Sequence, residues 1–559
     1  MGDVLIDHAH QNGWFQQIEH VMMKAYDASN DTRAPSGQKI EIEVRFGRIG
    51  DASQARTNYR AGISSNAHDR LINRHQCAYS SFKVDSLHYL VPSANDNNES
   101  EEKTVHVDLD RKIAIEKNCL AKCTNSEWGL RFQATSERTF TNAEYTNLLS
   151  GVDLRSCFRR SRKRQSFWLV KDEWRLDVTE VETLEPNALS GKTSWEAEVE
   201  YTGPVDDIES ENFIHSYLRI IASLQQVVQD SFHPITTTKA TELDGILTQA
   251  RRYHPFLGLV QPRTLNRNDL STSTFDGVKS FGVTCKADGE RALLLFDRDR
   301  KAYLFTSVDR WRQLPVFSAD GWLEDYSFSI LDGEYDGHRF YAFDILSLAG
   351  TPITSESSLT LQKRVDLLRT IREQSGKLFE VKEYVYFRTL EELTKQAAIM
   401  LDKAETMGPY SIDGLIITPT DEMPDFKTKT WRAQMKWKMQ PTIDALFASD
   451  PDEKRVYVSG RNNDTIVFMP VESNLYPGRI AEFAWKKSSL VFQRLRPDKT
   501  APNFLDVATD IVKSYKEPVS FTMMTGKDII LPSVPRVPTI TKRAPSDAIK
   551  NKTQKRCKT

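Results

Sequence analysis

The sequence predicts a multidomain α+β protein, and three observations carry that reading. The chain has 559 residues, several times the roughly 150 of a single domain. Residues 40–202 run in short stretches that alternate apolar and polar, the period of strands with one buried face. Beyond about residue 250, strand-like runs interleave with helical spacing, and after Pro441 short strands return.

The elements follow in order. Trp14, Phe15, Ile18, Val21, Met22 and Ala25 fall at helical spacing. The alternating region contains a long acidic loop from Pro92 to Lys103. A second amphipathic helix carries Phe213, Ile214, Tyr217, Leu218, Ile221, Leu224 and Val228, and a Thr-rich connection at 235–241 marks a domain boundary. Strands are predicted at Ala292–Phe296, Phe340–Leu346 and Gly414–Thr418, and helices around Leu361–Arg372 and Glu391–Leu401. A small β module uses Arg455–Ser459, Thr465–Met469 and Ile480–Trp485, closed by a helix with Phe504, Val507, Ala508, Ile511 and Val512. The end holds Pro532, Pro535 and Pro538, then seven Lys and Arg residues from Lys542 to Lys558, the composition of an unstructured basic tail. The expected domains are 1–235, 236–440, 441–517 and a linker or tail at 518–559.

Composition narrows the class. Hydrophobic residues at 39% and charged residues at 27% exclude a mainly disordered or fibrous chain. No run of about 18 apolar residues occurs, so no membrane span is expected. The net charge of -2 leaves any nucleic-acid partner to local patches. The first six residues lack the pattern of a signal peptide or a myristoylation site. With six cysteines, this points to a reducing, cytoplasmic setting. Cys119 and Cys123 lack a second pair, which favours burial over zinc.

Lys286-Ala287-Asp288-Gly289-Glu290-Arg291 is the most specific string. Alone it reads equally as a hairpin with solvated flanks, since Asp-Gly is a common tight turn. Its successors change the balance. Leu331-Asp332-Gly333-Glu334-Tyr335 and Phe340-Tyr341-Ala342-Phe343-Asp344 come first. Asp413-Gly414-Leu415-Ile416-Ile417, Met435-Lys436-Trp437-Lys438 and Arg494-Leu495-Arg496-Pro497-Asp498-Lys499 follow. This ordered series, across residues 250–516, resembles the covalent nucleotidyltransferases, the superfamily of capping guanylyltransferases and polynucleotide ligases. The resemblance implies a nucleotidyltransferase domain followed by an OB-fold. It implies Lys286 as the nucleophile on the α-phosphate of GTP. Asp288, Arg291, Glu334 and Phe343 would hold the nucleoside, and Lys436 and Lys438 the α-phosphate. Arg494, Asp498 and Lys499 would reach the leaving phosphates on lid closure, with Asp413 as a ligand for Mg²⁺ or Mn²⁺. Pro441-Thr442-Ile443-Asp444 and Thr500-Ala501-Pro502-Asn503 are similar to capping enzymes, whereas ligases usually lack the Pro-Asn. An ATP-dependent ligase with an unrelated N-terminal domain is the alternative, and a non-catalytic RNA-binding scaffold the third reading.

The first half offers a second chemistry. Glu41, Glu43 and Arg45 share one face of a strand, as do Glu196, Glu198 and Glu200 of another. Arg160, Arg162 and Arg164 share a face, and Arg175, Asp177 and Thr179 do likewise. Any one such strand reads as a solvated face. Together they suit a closed antiparallel barrel with its polar face inward. This pattern resembles the tunnel-type, metal-dependent RNA 5′-triphosphatases. The resemblance implies metal binding by Glu41, Glu43, Glu196, Glu198 and Glu200, with triphosphate RNA gripped by Arg131, Arg160, Arg162 and Arg164. The pairing of both halves looks like the bifunctional mRNA capping enzymes of large DNA viruses, in host cytoplasm or virion, with a viral RNA polymerase as a partner. Only Gly526 lies between Pro518 and Thr559, with no Gly-x-Gly turn to hold a methyl donor. Cap guanine-N7 methylation is therefore expected from another polypeptide or a further C-terminal domain.

Overall fold

The computed structural model describes residues 2–526 with internal breaks, the longest at 49–60, 93–103, 316–324, 448–454 and 471–478. Most of the acidic loop, Asp498 and the basic tail therefore lie outside the described residues. No helix among the described residues is long and apolar enough to cross a membrane.

The first half closes into a barrel. Its strands are β1 (Gln38–Phe46), β2 (Ser81–Pro92), β3 (Thr104–Asp108), β4 (Ile113–Asn125), β5 (Leu130–Thr139), β6 (Phe158–Trp168), β7 (Trp174–Leu184) and β8 (Lys192–Tyr201). They pair in the order β1-β5-β4-β3-β2-β6-β7-β8, β8 closes on β1, and every pairing is antiparallel. Period-two alternation then sorts the residues. Ile42, Val44, Phe132, Leu176 and Val199 face outward onto the helices Gly2–Gln11, Trp14–Ser29 and Glu211–Val228, in one continuous core. Both predicted helices bury the expected stripe, and the Tyr217 hydroxyl donates to the Val199 carbonyl at 2.9 Å. The barrel thus has its apolar core outside and its charged residues within.

The next region holds two antiparallel-rich sheets. One runs in the order 385–389, 276–287, 412–419, 430–438 and 261–264. The other runs 310–314, 302–306, 290–296, 330–335, 340–348 and 351–352. The Asp288-Gly289 turn hands the chain from one sheet to the other. Beyond Pro441, five strands pair antiparallel in the order 465–470, 455–459, 442–447, 480–486 and 489–495. The helix Leu505–Lys516 covers this sheet through Ala508 and Ile511.

Three elements differ from expectation. The Thr-rich stretch read as a connection begins a helix, Thr237–Arg251. Thr236 caps it by accepting from the Lys239 amide, and Ala240, Leu243 and Leu247 supply the buried stripe. A helix, Ser65–His75, that the alternating pattern did not predict interrupts the mainly antiparallel β half. Residues 518–526 are not linker. Phe521–Thr525 is a short helix, Met524 and Val519 enter the core around Trp437, and the Trp437 indole donates to the Val519 carbonyl at 2.8 Å.

Arg364 is the largest fully buried side chain. Its guanidinium grips Asp344 at 2.6 and 3.1 Å and donates to the Leu359 carbonyl at 2.8 Å. This pins the strand that carries Phe343. Arg364→Ala strands the Asp344 carboxylate, and its expected cost is about 3–5 kcal/mol. A lowered urea midpoint is the measurement.

Candidate active sites

Two separate cavities hold the residues singled out in the sequence. The barrel interior encloses about 570 Å³. Register sets its charge pattern. Glu43 stands opposite Glu200 across β1 and β8, and Arg45 opposite Glu198. On the other side of β8, Asp177 opposes Glu198 and Arg175 opposes Glu200.

Nearly every carboxylate here is matched by a cation. Arg160 meets Glu196 at 2.6 Å, and Arg164 bridges Asp177 and Glu198, each at 2.6 Å. Lys117 meets Glu41 at 2.8 Å and also holds Glu137. Arg45 meets Glu43 at 2.7 Å, and Glu200 takes Lys39 at 3.0 Å and Arg175. The matching is uneven. Burial, with the Glu198 charge beside it, pushes Glu43 up to about 8. Burial and Glu41 push Glu200 up to about 7. Against burial, Lys117 holds Glu41 far below the carboxylate range, and Arg164 and Arg45 hold Glu198 down to about 2.

Of the expected metal ligands, Glu41, Glu196 and Glu198 line the cavity, while Glu43 and Glu200 are buried in ion pairs beside it. Among the described residues no three acidic, His or Cys side chains converge as a metal cage. The five carboxylates lie in two rows on the paired strands β1 and β8, each held by cations. Arg160, Arg162 and Arg164 all line the cavity, so the alternation on β6 holds. Arg131 does not line it; its Nε donates to Thr124 Oγ1 at 3.3 Å. Lys117, Gln133 and Thr135 are cavity residues that the sequence pattern passed over. Their strands carry mixed polar residues with no clustering of charge.

The second cavity lies between the two sheets of the middle region and holds about 160 Å³. Lys286 stands at the end of strand 276–287, beside a bulge that shifts the register at Ala287. Its ammonium contacts Asp413 at 2.9 Å, and Lys438 reaches the same carboxylate at 3.2 Å. Gly414 makes this approach feasible. Its φ is +156°, and a Cβ there would collide with the Trp437 carbonyl. Burial, then Lys438 and Lys286, pull the Lys436 ammonium down to about 8. Glu334, raised by burial, faces Arg291 across the strand pair. Arg291 is held at its Nε by Asp332 at 2.9 Å and donates to the Val260 carbonyl.

Lys286, Arg291, Glu334, Phe343 and Lys436 line this cavity together. Lys438 lines the adjoining cleft of about 440 Å³ toward the five-stranded module. Asp288 is exposed at its turn, Arg494 pairs with Glu482 at 2.7 Å, and Lys499 is exposed, so none of the three lines the cavity. Lys382 was missed. It is buried, its ammonium lies 5.3 Å from the Phe343 ring centre, and burial lowers its pKa. As a lone Lys in a short connecting segment it gives no sequence signal.

Comparison with known proteins adds context. Among solved structures, the S. pombe RNA triphosphatase shares 13% identity, covering 39% of this chain and 92% of its own, with a TM-score of 0.28. The mimivirus capping enzyme triphosphatase shares 15% identity, covering 37% and 97%, with a TM-score of 0.24. The bacteriophage T7 ATP-dependent DNA ligase shares 14% identity, covering 43% and 99%, with a TM-score of 0.25. Likeness at this level carries no functional argument. The mRNA-capping enzyme of Danio rerio is 24% identical over 318 residues, and the chain spans 51% of that relative's length. Residues 411–525, from the Asp413 strand through the five-stranded module to the short helix on Trp437, match the family described as mRNA capping enzyme, C-terminal domain.

Proposed function

We propose that the chain caps mRNA with two active sites. The first removes the γ-phosphate from a triphosphate RNA end, and the second transfers GMP from GTP to the diphosphate that remains. The observation that carries this reading is the pairing of Lys286 with Asp413 at 2.9 Å, beside a pocket that Lys286 lines with Glu334, Phe343 and Lys436. The family match over residues 411–525 supports capping over ligation.

At the second site Lys286 Nζ attacks the α-phosphorus of GTP. A phosphoramidate bond forms, the α–β anhydride breaks, and pyrophosphate leaves. The RNA diphosphate oxygen then attacks the same phosphorus and returns the electron pair to Lys286. Lys436 and Lys438 offset the charge that builds on the phosphoryl oxygens. Phe343 stacks on the base, and Arg291 and Glu334 fix the ribose. Asp413 accepts from Lys286 before GTP binds and is a hard-oxygen donor for Mg²⁺ or Mn²⁺.

In the barrel, Glu41, Glu196 and Glu198 line the cavity and would offer hard-oxygen donors to a divalent cation. Glu43 and Glu200 would complete the five-carboxylate set only by giving up Arg45, and Lys39 and Arg175, respectively. Such a cation polarises a phosphoryl oxygen. Arg160, Arg162 and Arg164, on β6 two strands from β8, hold the triphosphate chain.

Incubation with α-labelled GTP is expected to label the chain covalently, and α-labelled ATP to leave it unlabelled. Labelling by ATP alone would establish the ligase reading. No labelling by either would establish the scaffold.

A further inference from the structure

Arg162 differs from its two neighbours on β6. Arg160 and Arg164 each reach carboxylates, whereas Arg162 has no hydrogen bond or ion pair among the described residues. Its Nε is sealed from solvent without a partner, although the side chain lines the cavity. An unpaired guanidinium inside a closed barrel is costly, and burial with Arg160 and Arg164 on either side pushes its pKa down to about 10.

Two imidazoles stand close to it. Ser86 on β2 pairs in register with Arg162, and His88 with Arg160. His88 and His106, on the paired strands β2 and β3, meet edge to face at 6.3 Å, and both line the cavity. Ser86 Oγ and His88 Nε2 are 2.9 Å apart, while His88 Nδ1 has no partner. With Nε2 accepting from Ser86, Nδ1 carries the proton and is a donor without an acceptor. Burial and Arg162 depress both rings, His88 to about 4 and His106 to about 3. Arg164, Arg111 and Asp108 also act on His88, and Lys117, Arg160 and His88 on His106. Both imidazoles are therefore neutral at pH 7, each able to donate from one ring nitrogen.

We propose that His88, His106 and Arg162 form an anion subsite across β2, β3 and β6, beside the ion pairs of Arg160 and Arg164, built to take a phosphoryl group of a polyphosphate chain. The proposal rests on the triphosphatase reading of the barrel and adds residues to it. A phosphoryl oxygen is the acceptor that the unpaired guanidinium and imidazole both lack. Neutral imidazoles let the subsite hold this group without a further fixed charge that would retain the phosphate product.

The test uses the full chain and two sources of the same group, inorganic tripolyphosphate and a triphosphate-ended RNA. His88→Asn and His106→Asn are each expected to weaken tripolyphosphate binding about tenfold in metal-free calorimetry. Each should also raise KM for triphosphate RNA by a similar factor with kcat within threefold. Weakening with RNA alone would also support the subsite and assign it to the RNA-borne chain. Unchanged affinity for both ligands in both variants overturns it. Thermal melting matched to the parent separates loss of binding from loss of fold. Arg162→Lys, which keeps the charge, is expected to retain more affinity than Arg162→Gln, and equal loss in these two also overturns the proposal. Failure of the parent chain to release phosphate from RNA would instead refute the triphosphatase reading, and is read separately from the binding data.

Discussion

Replacing Lys286 with alanine is expected to abolish the covalent GMP adduct while phosphate release from triphosphate RNA stays within about twofold of the parent chain. The loss should be complete because the proposed role rests on the Lys286 amine itself. Lys438 and Lys436 sit on the strand beyond 412–419, opposite Gly414 and Ile416, and Gly414 in turn stands opposite Lys286, so both reach the site as charge partners. Lys286 stands at the strand end beside the bulge and lines the pocket with Glu334 and Phe343, whereas Lys438, the other partner of Asp413, lines the adjoining cleft. The barrel should be indifferent, since its cavity shares no lining residue with the Lys286 pocket. Removing the ammonium also leaves Asp413 paired only with Lys438, so a modest loss of stability accompanies the loss of the adduct. The check is an adduct gel beside a phosphate-release assay on the same preparation. Loss of both activities in a folded variant would end the two-site reading. An adduct that persists would remove Lys286 from the nucleophile role.

The sequence was most legible where chemistry and period coincide. Strict alternation at Glu41-Ile42-Glu43-Val44-Arg45 predicted a strand with one charged and one apolar face, and both faces are found where alternation puts them. The helices around Ile18 and Tyr217 were equally plain, since each buries a 3.6-period stripe. What the sequence could not disclose was which charges would neutralise each other. Glu198 is held by Arg164 from β6 and Arg45 from β1, and only closure of the barrel brings those strands to it. Local composition also misled. The threonines at 236–238 lower helix propensity, yet one of them is the cap that starts the helix. Residues 518–526 followed a predicted closing helix and were read as the start of a tail, but Val519 and Met524 return to a core more than 80 residues back in the chain. Such contacts have no local signature.

The carboxylate rows of the barrel set the other large effect. Glu43→Ala and Glu198→Ala are each expected to lower phosphate release by several powers of ten, since each deletes a proposed metal ligand. The GMP adduct at Lys286 should form at the parent rate in both. Their effects on stability should then diverge. Glu43 is buried beside Glu198 and opposite Glu200, and burial with that repulsion already pushes its carboxyl up to about 8. Removing it ends that repulsion but also takes an acceptor from Arg45 and Gln133, so the metal-free Glu43→Ala chain should lose less stability than the Glu198→Ala chain. Glu198 is the reverse case. It is the shared acceptor of Arg164 and Arg45, and its loss leaves Arg45 with Glu43 alone and Arg164 with Asp177 alone. The expected cost is about 1–3 kcal/mol, within the range for removing one partner of a buried charged hydrogen bond. Metal-free melting curves for the two variants, set beside phosphate release with Mg²⁺ or Mn²⁺ added, measure both halves of the argument. If phosphate release survived either substitution, the carboxylates would be structural partners of the arginines and nothing more. If instead the two variants lost activity and stability in parallel, the loss of activity would follow from unfolding, and the metal role would have to be sought on another wall of the barrel.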